Sequence, residues 1–166
     1  MNRSAYKATK MMASVGAAAL MLTSCVSQAA TEERPGVSAE PAGLAVGQAA
    51  DPADADRTVE VVTLDTMTYD PESITAAQGE TILFVVTNEG KLPHEFSLGD
   101  EAAQVEHSKE MADPNMATHD HPFSLYLEPG ETKELAWEFS RAGEFLYGCH
   151  VPGHYEAGMK APLTVE

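Results

Sequence analysis

The stretch Gly148-Cys149-His150-Val151-Pro152-Gly153-His154-Tyr155-Glu156-Ala157-Gly158-Met159 carries a thiol, two imidazoles and a thioether close to the end of the chain. Cys149, His154 and Met159 follow the spacing Cys-x4-His-x4-Met. The intervening glycines and proline mark a loop, and a loop can turn all three side chains toward one centre. Thiolate, imidazole and thioether together form a soft, mixed ligand set. That set suits copper, with Met159 as a weak axial ligand and a second His supplied from elsewhere. Zinc fits less well, because its usual ligands are Cys, His and carboxylate. Taken singly, Cys149 or Met159 would read as core filler. It is their grouping just before a short terminal strand that points to a metal.

The fourth ligand belongs on a separate strand. His94, in Lys91-Leu92-Pro93-His94-Glu95-Phe96, follows a turn and opens a short apolar run. A surface His at a strand end is the bland reading of His94 alone, and the downstream loop favours the ligand.

A His in an early turn, followed much later by Cys, His and Met on one loop, resembles the cupredoxins, the blue-copper family. Lys91 to Phe96, Asp113-Pro114-Asn115-Met116 and Gly148 to Met159 are most similar to its periplasmic, plastocyanin-like branch tied to copper tolerance. The resemblance covers the last two-thirds of the chain. It implies an all-β, Greek-key sandwich with one type 1 copper held by His94, Cys149, His154 and Met159. It also implies electron transfer to or from a partner such as a cytochrome or an oxidase. Many cupredoxins carry Asn or Ser directly after the first His ligand, where it braces the thiolate. Here that position is Glu95, which leaves room for a more distorted, green centre with Asn88 as the brace.

Toward the N-terminus, Arg3, Lys7 and Lys10 precede the apolar run Met11 to Leu22, which is too short to span a bilayer. Residues 1–25 therefore read as an export signal. Leu22-Thr23-Ser24-Cys25 resembles a lipobox, which would make Cys25 a lipid anchor in the cell envelope. The rival is cleavage after Ser27-Gln28-Ala29, leaving a free periplasmic protein. With Cys25 so assigned and Cys149 given to metal, the two cysteines of the chain leave no structural disulfide. Residues 26–57 hold no aromatic residue and no sustained apolar period, and read as an acidic tether.

Residues 58–166 suffice for one domain. Short apolar runs alternating with turn signals predict a β-sandwich. Expected strands are Val59–Leu64, Met67–Tyr69, Ser73–Thr75, Thr81–Thr87, His94–Leu98, Phe123–Leu127, Thr132–Phe139, Glu144–Gly148 and Lys160–Val165, with Thr81–Thr87 central. The stretch 99–122 breaks the pattern. It predicts a helix over Glu101–Met111 and then a loop.

Residues 107–121 gather three His and two Met, so a second, exchangeable copper site near Met111, Met116, His119 and His121 is one expectation. A polar loop whose methionines cap the core is the other. His150 is expected to point outward from its strand end. Only Gly148 stands before Cys149, and the chain has one such domain and no second set of His-x-His pairs, so the resemblance implies neither an oxidase nor a reductase working alone.

The chain carries 26 acidic against 10 basic side chains, a formal net charge of −16. Such a surface repels phosphate, which excludes nucleic acid as a partner. It attracts copper ions or a redox protein with a basic face. The sequence thus predicts a monomeric electron carrier without substrate chemistry. A copper chaperone or storage protein is the alternative, and a metal-free structural domain the third reading.

Overall fold

The computed structural model describes residues 46–113 and 118–166. The export signal, the Cys25 lipobox, most of the tether and Met116 lie outside the described residues.

Among the described residues, ten strands and one α-helix follow in order: β1 (Gln48–Ala49), β2 (Arg57–Leu64), β3 (Thr68–Asp70), β4 (Ile74–Ala76), β5 (Thr81–Asn88), β6 (His94–Gly99), α1 (Glu101–Met111), β7 (Ser124–Leu127), β8 (Thr132–Glu138), β9 (Gly143–Gly148) and β10 (Lys160–Val165), with a 3-10 turn at Pro52–Asp54. They form two five-stranded sheets, ordered β1-β8-β5-β2-β3 and β4-β10-β9-β6-β7. The fold is the all-β sandwich that the sequence predicts. β2 pairs with β5, and β4 with β10, in parallel. A hairpin cannot make a parallel pair, so the chain must cross between sheets.

β5 shows why the two sheets meet. Ile82, Phe84, Val86 and Asn88 alternate inward and are buried, while Leu83, Val85 and Thr87 between them are half-buried. Ala161, Leu163 and Val165 do the same on β10. The resulting core holds Phe84, Phe96, Trp137, Phe139 and Tyr147, and it extends to Cys149 and Met159. Phe96 sits between Phe84 and Tyr147, with ring centroids 5.2 and 5.5 Å away.

β6 departs from alternation, because every one of its residues is buried. Phe96 and Leu98 join the core on one face. Glu95 and Ser97 point to the opposite face, which α1 covers. Asp100 caps α1 by accepting the Ala103 N–H at 2.9 Å. The helix spans the predicted residues, but its buried side chains are Gln104, His107 and Met111. A mostly polar helical face therefore lies over a polar strand face.

The folded domain begins earlier than the expected residue 58. Val46 is 1% exposed within the core, β1 pairs with β8, and Asp56 accepts the Thr81 N–H at 2.9 Å. Residues 46–57 thus belong to the folded unit. Among the described residues, Val46 was the only large apolar anchor before a strand too short to show a period.

Candidate metal centre

The β6–β9 register sets Ser97 opposite Gly148. Continuing it by one residue sets Cys149 opposite Phe96, just past the end of β9, with its side chain reaching the backbone of Glu95. The Glu95 N–H donates to Cys149 Sγ at 3.3 Å. Beyond Cys149 the loop folds back on itself. Cys149 N–H donates to Met159 C=O at 3.1 Å, and Met159 N–H donates to His154 C=O at 3.0 Å. These two bonds fix the loop that carries three of the predicted ligands.

The structure brings His94, Cys149 and His154 together, with one donor atom of each within 4.8 Å of the other two. His154 Nδ1 stands 3.5 Å from Cys149 Sγ, and the two imidazole centroids are 5.0 Å apart. His94, Cys149 and Met159 are fully buried, and His154 is half-buried. His94 Nδ1 is buried without a hydrogen-bond partner, whereas its Nε2 meets Asp65 Oδ1 at 3.2 Å. A buried ring nitrogen left free beside a thiol and a second imidazole is what a metal ligand needs.

Asp65 was not evident from the sequence. It lies just after β2, and its carboxylate also accepts the Lys91 and Leu92 N–H groups. The Lys91 amide first, then Leu92 and His94, hold its carboxyl below the usual range against desolvation. A Cβ at Gly90 would collide with this carboxylate, so only glycine lets the loop close over it. Asn88 does not brace the thiol. Its side chain donates to the Leu92 and Leu127 carbonyls and accepts from Gly90 N–H. It fixes the turn before His94 instead, because β5 ends one turn away from that loop.

Burial lowers the pKa of His94, and Asp65 only partly offsets it. Burial, then the nearby His94, lowers that of His154. Both rings are therefore neutral donors at neutral pH. Burial pushes the Cys149 thiol up to about 12, against the N–H groups of Glu95 and Val151. A bound cation would have to displace its proton.

Glu95 is itself fully buried. Its Oε1 lies 2.6 Å from His107 Nε2, and its Oε2 accepts the His150 N–H at 3.0 Å. His150 does not point outward, as the sequence predicts, but is 5% exposed. Its Nε2 contacts Gln104 Oε1 at 2.6 Å, and its ring stacks on Tyr155 at 4.5 Å. Burial drops its pKa to about 4, so the ring is neutral. The cause of this inward turn is α1, whose Gln104 offers a buried partner.

Of the residues expected at a second centre, Met111 is buried, His119 is exposed and Met116 is outside the described residues. His121 meets His107 and Glu110 instead.

A β-sandwich with a buried Cys-His-His cluster at one end defines a soft-metal centre of the cupredoxin class. The family model for copper binding proteins of the plastocyanin/azurin family matches residues 56–166, and the chain belongs to that family. It is 40% identical over 153 residues to the copper-resistant cuproprotein CopI of Pseudomonas aeruginosa, covering 75% of this chain and 84% of that one. It is 43% identical over 131 residues to CopI of Rubrivivax gelatinosus, covering 78% and 79%. The solved structure of auracyanin B shares the fold, with a TM-score of 0.62 at 24% identity, over 72% of this chain and 96% of that one.

Proposed function

We propose that this protein is an electron carrier of the bacterial cell envelope that contributes to copper tolerance. One type 1 copper would be held by His94, Cys149 and His154, with Met159 as a weaker fourth ligand. The observation that carries this reading is the unpartnered, buried Nδ1 of His94 beside Cys149 Sγ and His154 Nδ1. Copper in this place supplies a one-electron couple between Cu(II) and Cu(I). The chain's own part is to hold the donors still and to exclude water. Asp65 orients the His94 ring, the Glu95 N–H supports the sulfur, and the backbone bonds among Cys149, His154 and Met159 fix the loop. Donors fixed in this way have little to rearrange when the charge changes.

The role in tolerance rests on the kinship with proteins named copper-resistant. An envelope location rests on residues 1–25, with Cys25 as a lipid anchor. A cytochrome or oxidase with a basic face fits as redox partner to a monomer. No residues are assigned to substrate chemistry.

The test is the visible and electron-spin spectrum of the full chain loaded with Cu2+, followed through one-electron reduction. An intense thiolate-to-copper band that bleaches reversibly and vanishes in Cys149→Ser is expected. Colourless Cu(I) binding with rapid handover to an apo-protein would instead make this a chaperone or a store.

A further inference from the structure

We infer that His107, Glu110 and His121 form a second metal site, for one divalent cation of the Cu2+ type, on the outer face of β6 beneath α1. A donor atom from each of the three lies within 4.8 Å of the other two. The rings of His107 and His121 meet edge to face with centroids 4.9 Å apart. Two imidazoles and one carboxylate suit Cu2+ and Zn2+, and the general order of affinities places Cu2+ first.

Two observations separate this cluster from an ordinary buried ion pair. His107 is 2% exposed, and its Nε2 is engaged by the buried Glu95 carboxylate at 2.6 Å. That leaves Nδ1 directed at Glu110 Oε2, 3.3 Å away. A carboxylate on one imidazole nitrogen with a ligand position on the other is how metal-binding histidines are held. A protonated His107 between Glu95 and Glu110 would also account for these contacts. It would not account for His121, whose Nε2 is buried with no hydrogen-bond partner. A cation shared with His107 and Glu110 satisfies that nitrogen.

The local fold fixes His121 independently of any metal. Its N–H and C=O both pair with Ser124, at 3.2 and 3.1 Å. Neighbouring Asp120 accepts the Tyr126 N–H at 2.8 Å and binds Lys133. The Glu110 side chain is about half exposed, at 53%, and opens the site to solvent. The two centres share one residue. Glu95 orients His107 through its side chain and reaches Cys149 Sγ through its N–H. Glu95 is thus a positioning residue for the second site.

The experiment loads the full chain with excess Cu2+, removes weakly held metal by gel filtration, and compares total copper with copper counted by the thiolate band. Wild type should hold one equivalent more than that band accounts for. His121→Ala and Glu110→Gln should each lose that equivalent and keep the band, and His119→Ala should lose neither. Glu110 lies at the surface, so its variant tests the site without a folding risk. A wild type with no copper beyond the thiolate count overturns the proposal. So does a His121→Ala protein that retains the extra equivalent, or a His119→Ala protein that loses it. An absent thiolate band would count against the first centre only, and the second site is then read from the equivalent of total copper that His121→Ala and Glu110→Gln lose relative to wild type.

Discussion

Cys149 and Asp65 set the chemistry of the first centre from opposite sides. With its pKa raised to about 12, the Cys149 thiol holds its proton at pH 7, and a metal must displace it. His94 and His154 have lowered pKa values and are already neutral. Copper uptake by this centre should therefore release close to one proton at pH 7. Affinity should rise about tenfold per pH unit in this range. Calorimetric titration in two buffers of different ionisation enthalpy measures that proton, and a value near zero would mean the thiol is ionised beforehand. Asp65 orients the His94 ring and ties down the Lys91 and Leu92 N–H groups of the turn before it. Removing it in Asp65→Ala frees the His94 ring and two loop N–H groups, and should weaken copper binding by roughly 10–100-fold. Competition against a copper chelator reads that loss directly.

At the level of elements, α1 is the unusual part. Its buried face is Gln104, His107 and Met111, so its hold on β6 and β9 depends on polar groups. Gln104 donates to the Ser97 and Leu146 carbonyls and accepts from Ser97 Oγ, besides meeting His150 Nε2. In Gln104→Leu these buried groups lose their partner together. The apo-protein should lose on the order of 3 kcal/mol, read by urea unfolding. Val105→Ala, one residue along at 48% exposure, should cost under about 0.5 kcal/mol. Equal effects would mean that the helix is held by something other than this network. The same helix shows what the sequence makes legible. Its span could be read, because the strand pattern breaks over residues 99–122. Its partners could not, because Glu95 and His107 meet only after strand alternation turns Glu95 away from the core and α1 folds over it. Cys149 and His154 were legible together because soft donors at fixed loop spacing carry their own chemistry, and His94 because that loop called for a second imidazole from another strand. Asp65 is one exposed carboxylate among many until the fold brings it to His94. β1 was missed because two residues show no period.

For the whole molecule, the proposed electron transfer would make charge decide which partner arrives fastest. The loops around His94 and His154 carry exposed Asp65, Glu89 and Glu156, but also exposed Lys91 and Lys160. Local charge there nearly cancels, so steering must come from the full excess of acidic side chains, a net −16. That field reaches about 10 Å at 0.1 M salt and about 30 Å at 0.01 M. A small cationic oxidant should therefore take the electron from the reduced protein fastest at low ionic strength. Its rate should fall by roughly an order of magnitude as salt rises from about 0.01 to 0.2 M. An anionic oxidant of similar size should show the reverse slope. Stopped-flow recovery of the thiolate band follows both reactions. Opposite slopes would identify the net field as the guide and select a basic docking face in the natural partner. Equal slopes would place recognition in the local surface around His154, where acidic and basic groups offset each other.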